Sequence, residues 1–248
     1  MNFFSLFKRS LLYKLKKKIN IDTNNSLNDK SLDELFQFYG SDKAEIVKMT
    51  NETGHGFSEF YNENLNQFKD KKIKILEVGS YSGASAAAFK KYFKNSTIYC
   101  FDINISKFIY SSEKIHVFGV NINNEEKLNK ILKRLNTSKN SNLFDVIIDD
   151  GSHYLSDILV TFKNLFKYVN NGGIYIIEDF KFPNYYKTNK DIDHILVDTV
   201  LESLNRKKLF DSNIIKKDFQ VYLQNQIKNI KIYKGKLKDS DICFITKK

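Results

Sequence analysis

The apolar run Phe144-Asp145-Val146-Ile147-Ile148 gives way at once to Asp149-Asp150-Gly151-Ser152-His153, two acids, a glycine and a histidine. A second run, Gly173-Ile174-Tyr175-Ile176-Ile177, ends in Glu178-Asp179. Two apolar runs that each deliver acids imply a metal site between their ends. The run Val146 to Ile148 is β-branched and bounded by a turn, which predicts a strand buried on both faces of a parallel sheet. Open α/β sheets bind ligands beyond the carboxyl ends of their strands. Asp149, Asp150 and His153 therefore fall where a site would be built.

Other strand and helix patterns must position these residues. Lys72 to Val78 reads as the first strand, followed by Glu77-Val78-Gly79-Ser80-Tyr81-Ser82-Gly83 and an alanine-rich helix from Ala84 to Phe93. Glycines at a strand-to-helix turn let the backbone approach a ligand, and the helix start offers free N–H groups. The spacing is not G-x-G-x-x-G. The next strand, Thr97 to Phe101, ends in Asp102, placed to accept both hydroxyls of a ribose; a turn or capping aspartate is the alternative. A third strand, Ile115 to Val120, leads to Asn121 and a helix over Asn124 to Leu135. After the fourth strand, Leu155 to Val169 reads as a helix stopped by Asn171-Gly172-Gly173. Ile192 to Asn205 is a further helix, and two short strands, Ile230 to Tyr233 and Ile242 to Thr246, form a closing antiparallel hairpin.

Ahead of the first strand, Ser31-Leu32-Asp33-Glu34 forms a capping box for a helix to Tyr39, ended by Gly40. Tyr39-Gly40-Ser41-Asp42-Lys43 and His55-Gly56-Phe57, with Tyr61, suggest a lid over the site, the alternative being a solvated loop. Phe182-Pro183-Asn184-Tyr185-Tyr186 suggests a second loop over it. Residues Met1 to Asn20 mix apolar and basic residues as a basic amphipathic helix does, for packing on the domain or a second subunit, or for weak membrane-surface contact; Asp22 to Lys30 reads as a linker. Across 248 residues, 40 Lys+Arg against 29 Asp+Glu leave a net charge of +11, which favours an anionic partner without choosing among them. Cys100 and Cys243 lie in apolar runs as small hydrophobes. No run approaches the roughly 20 apolar residues of a membrane span, so a cytoplasmic protein is expected.

Five strand-helix units and a hairpin, with Glu77 opening an E-x-G-x-x-x-G pattern and an acid after the second strand, are similar to class I S-adenosylmethionine-dependent methyltransferases. The YGSDK, HGF, DDGSH and IED elements together resemble the metal-dependent sugar O-methyltransferases of the macrolide-sugar type, with relatives in bacterial cell-surface glycan pathways. The resemblance covers roughly Leu32 to Asp179 and the hairpin loosely. It implies a Rossmann-like α/β fold with a mostly parallel seven-stranded sheet and a C-terminal antiparallel hairpin. Residues 1–30 would be an N-terminal extension and residues 31–248 the methyltransferase domain, with 31–70 a helical lid.

It further implies Mg²⁺ held by Asp150, Glu178 and Asp179, with His153 as general base, since an imidazole titrates near neutral pH; a capping histidine is the alternative. Gly79 and Ser80 would pass the amino-acid moiety of S-adenosylmethionine, near Glu77. Asp102 would hold its ribose, and Ser41 and Lys43 its carboxylate. Asn121 stands where many relatives have an aspartate facing adenine, and Asp149 would orient the donor or the loop. His55 and Tyr185 would touch substrate, whereas His116 and His194 have no site role. The expected partner is a sugar or nucleotide-activated sugar of the capsule or LPS type, not nucleic acid, and a homo-oligomer is expected. Two other readings stay open. An RNA methyltransferase suits the charge but lacks the N/D-P-P-Y and K-D-K-E elements, and a non-catalytic cofactor-binding scaffold would leave the acids and His153 unused.

Overall fold

The computed structural model describes residues 18–27, 29–48, 50–135, 143–181, 193 and 195–248. Residues 1–17, the loop of residues 182–186 with Tyr185, and His194 lie outside this set. The main sheet has seven strands: β1 (Lys74–Val78), β2 (Thr97–Asp102), β3 (Ile115–Gly119), β4 (Phe144–Asp149), β5 (Val169–Glu178), β6 (Ile227–Lys234) and β7 (Asp241–Lys247). Their order is β6-β7-β5-β4-β1-β2-β3. β1 to β5 run parallel, and β7 enters antiparallel between β5 and β6. This is the predicted mostly parallel sheet with its terminal hairpin.

The parallel strands are apolar because helices cover both faces. Val146, Ile147 and Ile148 are each 0% exposed, and burying each contributes about 1.5–3 kcal/mol. One face packs helices α4 (Glu125–Leu135), α5 (Leu155–Leu165), α6 (Val197–Asn205) and α7 (Lys217–Gln226); the other packs α1 (Leu32–Tyr39), α2 (Ser58–Leu65) and α3 (Ala84–Tyr92). α1 carries the predicted capping box, with Ser31 Oγ accepting from Glu34 N, and ends at left-handed Gly40.

Several expectations change. Asn171-Gly172-Gly173 does not stop a helix. α5 ends at Leu165, and these residues form a bulge inside β5, where the register jumps from Phe144↔Val169 to Val146↔Ile174. Gly172 has φ +74°, and a Cβ on Gly173 would lie 2.7 Å from Asp145 O, so the bulge requires small residues. α6 begins at Val197, after extended Leu196, rather than at Ile192. α7 has no counterpart in the sequence reading. Ile19–Asn20 are not helical but pair in parallel with Tyr110–Ser111. The Asp22 to Lys30 stretch is docked rather than loose, because Ile21 and Leu27 are buried and Asp22 accepts from Ser112 Oγ and Glu113 N. Cys100 and Cys243 are buried free thiols. Among the described residues no helix is long and apolar enough to cross a membrane.

Candidate active site

Pairing of β1, β4, β5 and β7 sets the site. Val78 sits opposite Asp149, Asp149 opposite Ile177, and Glu178 opposite Ile242. Asp150 and Glu178-Asp179 therefore leave adjacent strands together, about 4.8 Å apart in the pairing direction. Gly79, at φ +86°, donates its N–H to Phe101 O, and a Cβ there would overlap the carbonyl of Asp150. The glycine thus lets the β1 turn seat against the β4 turn, beyond any approach to a ligand. Tyr81, His153 and Asp179 are non-glycine residues with positive φ (+42°, +57° and +50°), and all three line clefts at these ends. Such backbone outliers concentrate at functional sites.

Two clefts share the turn after β4. The first, about 290 Å³, opens beyond β1 to β4, with Phe101, Val120 and Ile158 as apolar lining and Gly79, Asp102, Asn121, Asp149, Gly151 and Ser152 along it. Asp102 is held there, its Oδ2 accepting from Tyr81 N and its Oδ1 from Asn104 N. The second, about 400 Å³, is lined by Asp42, His55, Asp150, His153, Glu178, Asp179 and the hairpin loop from Leu237 to Ser240. One five-residue turn thus faces both ways.

Charge crowds the second cleft. Lys43 is 2% exposed; its Nζ donates to Glu178 Oε2 at 2.6 Å and to Asp150 Oδ2. The Tyr61 hydroxyl donates to the other oxygen, Glu178 Oε1. Burial pushes the Glu178 carboxyl well up, the neighbouring Asp150 adds to this, and Lys43 opposes it. Burial raises Asp150 and Asp149 too. Burial pulls Lys43 down, but Asp150 and Glu178 outweigh it and hold the ammonium well above its usual range. His153 Nε2 lies 3.6 Å from Asp150 Oδ1. His55 Nδ1 lies 3.1 Å from Asp179 Oδ1, an ion-pair contact when the imidazole is protonated. Desolvation lowers the His55 imidazole, but Asp179 outweighs it and raises it overall. Donor atoms of Asp150, His153 and Asp179 all lie within 4.8 Å of one another.

The predicted donor-side residues divide. Gly79, Asp102, Asn121 and Asp149 line the first cleft, but Ser41, Lys43, Glu77 and Ser80 do not. Lys43 is taken up by the acids, Ser41 Oγ accepts from Lys43 N, and Ser80 Oγ donates to Glu77 O. The YGSDK and HGF segments are not a solvated loop. They fold over the acids, with His55 N donating to Asp42 O and His55 O accepting from Lys236 N of the hairpin loop. Tyr61 is fully buried against Phe36, Phe89 and Phe244. The hairpin loop's part in the second cleft left no mark in the sequence, since only the fold brings it there.

Glu77 is 0% exposed beneath the glycine turn, with Ser80 and Ser85 beside its carboxyl. Burial raises its carboxyl to about 7, against Lys43, Ser85 and Ser80, which lower it. In the unfolded chain the group ionises near 4.5. It costs the fold nothing below that pH, and the penalty grows as pH rises through about 7, to about 3 kcal/mol. Urea unfolding of Glu77→Gln beside the parent should show the variant gaining about that much relative stability between pH 4.5 and 8; a pH-independent difference would refute it.

A Rossmann-like sheet in the order found here, with its terminal hairpin, is the fold of the class I methyltransferases. The resemblance read from the sequence, to metal-dependent sugar O-methyltransferases of the macrolide-sugar type, is borne out by curated and solved relatives. Mycinamicin VI 2''-O-methyltransferase of Micromonospora griseorubida is 30% identical over 132 residues, 50% of this chain and 31% of that protein. L-olivosyl-oleandolide 3-O-methyltransferase of Streptomyces antibioticus is 32% identical over 162 residues, 62% of this chain and 38% of that protein. The matched stretches are thus about a third of these relatives' length. The MycE methyltransferase from the mycinamycin biosynthetic pathway, solved with Mg, SAH and mycinamycin VI, is 21% identical with a TM-score of 0.66, covering 100% of this chain and 63% of that one. No family model matches the chain.

Proposed function

We propose that this chain transfers a methyl group from S-adenosylmethionine to a sugar hydroxyl with the help of Mg²⁺. The observation that carries the reading is the division of one turn between two clefts, Asp149, Gly151 and Ser152 facing one and Asp150 and His153 the other. Donor and acceptor would meet across that turn. MycE, with the same fold, was solved with Mg, SAH and mycinamycin VI. The residues present fit both groups. Asp179 Oδ1 is buried with His55 beside it, and donor atoms of Asp150, His153 and Asp179 lie within 4.8 Å of one another, a set suited to a cation, with Glu178 next to Asp179 in the chain. The apolar lining and pinned Asp102 of the first cleft suit a nucleoside.

Asp150, Glu178 and Asp179 would hold Mg²⁺, which when bound makes a neighbouring hydroxyl more acidic. His153, at the mouth beside Asp150, takes the hydroxyl proton as the oxygen–carbon bond forms and the carbon–sulfur bond of the sulfonium breaks. Asp102 holds the ribose, Gly79 passes the amino-acid moiety, Asn121 meets the adenine, and Asp149 orients the sulfonium end. His55 contacts the sugar. Alignment of an already reactive donor supplies much of the acceleration. For the acceptor's carrier, the net charge of +11 favours a nucleotide-activated or cell-surface glycan sugar. Incubating the protein with donor and Mg²⁺ against nucleotide sugars, glycans and sugar-bearing macrolides should add one methyl to a sugar, read by mass spectrometry. No product across the panel, with donor bound, would count against the reading.

A further inference from the structure

Lys43 is a cation buried to 2% exposure, with its charge spent on two carboxylates from different strands. Its Nζ reaches Glu178 Oε2 and Asp150 Oδ2, while Tyr61 holds Glu178 Oε1. Both oxygens of Glu178 therefore carry one donor each, leaving a second lone pair on each for another partner. Asp150 turns Oδ2 inward to Lys43 and Oδ1 outward to the His153 side of the cleft. The lysine is itself fixed by its loop, whose neighbouring backbone bonds run from Phe57 N to Lys43 O and from His55 N to Asp42 O. Tyr61 is locked among Phe36, Phe89 and Phe244.

From this geometry we infer that Lys43 and Tyr61 are positioning residues that aim Asp150 and Glu178 at the cation. The inference rests on the metal reading above and moves Lys43 from the donor to the acceptor side. Three carboxylates against one ammonium leave a formal charge of two minus, which a divalent cation balances. Two effects of Lys43 on the ion oppose each other. Its charge repels a cation, but it also fixes two ligand side chains and supplies a hydrogen-bond donor to each. Partners that orient metal ligands typically contribute roughly 10–100-fold in affinity. Lys43 is 2% exposed and approaches Glu178 from the side away from solvent, so no other donor stands ready to replace it, and orientation wins.

The test measures Mn²⁺ affinity by electron paramagnetic resonance and SAH affinity by calorimetry on the full chain, with Lys43→Met and Tyr61→Phe beside the parent. Lys43→Met is expected to weaken Mn²⁺ binding roughly 10–100-fold and Tyr61→Phe roughly tenfold, with SAH affinity within about twofold of the parent. A merely structural defect would lower melting temperature without splitting the two affinities. Equal or tighter Mn²⁺ binding by Lys43→Met overturns the inference, as does a loss confined to SAH, which returns Lys43 to the donor. Should Lys43→Met not fold, Tyr61→Phe, which removes a single hydroxyl, decides. A parent that binds SAH but no Mn²⁺ sinks the metal reading itself.

Discussion

Chelation with EDTA is expected to abolish methyl transfer, and Mg²⁺ beyond the chelator to restore it. A sugar hydroxyl is almost wholly protonated near neutral pH and is a poor nucleophile. Lewis-acid assistance to such an oxygen is worth several kcal/mol, so the loss should reach roughly three orders of magnitude or more. Neither Lys43 nor His55 substitutes. The Lys43 ammonium is sealed against Glu178 and Asp150, and His55 lies against Asp179. Donor binding should survive the chelator, because the first cleft is built from β1 to β4 and shares with the acids only the turn after β4. Initial rates with and without EDTA, alongside SAH calorimetry, separate the two. Undiminished turnover in chelator would remove the metal from the mechanism.

The elements that carry the site were legible because local chemistry and tertiary demand agree there. Phe144–Asp149 is apolar enough to be buried on both faces, and the abrupt polar turn after it marks the carboxyl edge of the sheet. The capping box at Ser31 works through contacts three residues apart. What stayed hidden depends on distant partners. Lys43 was read as a partner of the donor's carboxylate, and only the fold brings to it acids 107 and 135 residues away. Tyr61 is similar, with its acceptor 117 residues along the chain. The glycines of β5 were misread because Gly172 and Gly173 stop a helix and permit a bulge by the same freedom at positive φ or in tight space. α7 was missed because Lys217–Gln226 is rich in polar residues and buries little beyond Gln220 and Leu223.

Removing the imidazole of His153 is expected to lower kcat by roughly 10²–10⁴, the range that a positioned proton acceptor supplies, while SAH affinity holds. The choice of substitution matters. His153 has φ +57°, a conformation that strains most side chains but that asparagine adopts readily. His153→Asn therefore keeps the turn that seats Asp150 and Asp149, whereas His153→Ala adds a backbone cost to the chemical one. If His153 only capped α5, asparagine should keep most of the turnover. If it takes the proton, both variants should fall together in kcat, with SAH and Mn²⁺ bound nearly as before. The geometry favours the second outcome: α5 begins at Leu155, its preceding residue Tyr154 makes no side-chain cap, and the His153 ring lies beside Asp150 in the acid-lined cleft. Near-parental turnover in both variants would assign proton removal elsewhere, first to His55, the other imidazole lining that cleft among the described residues.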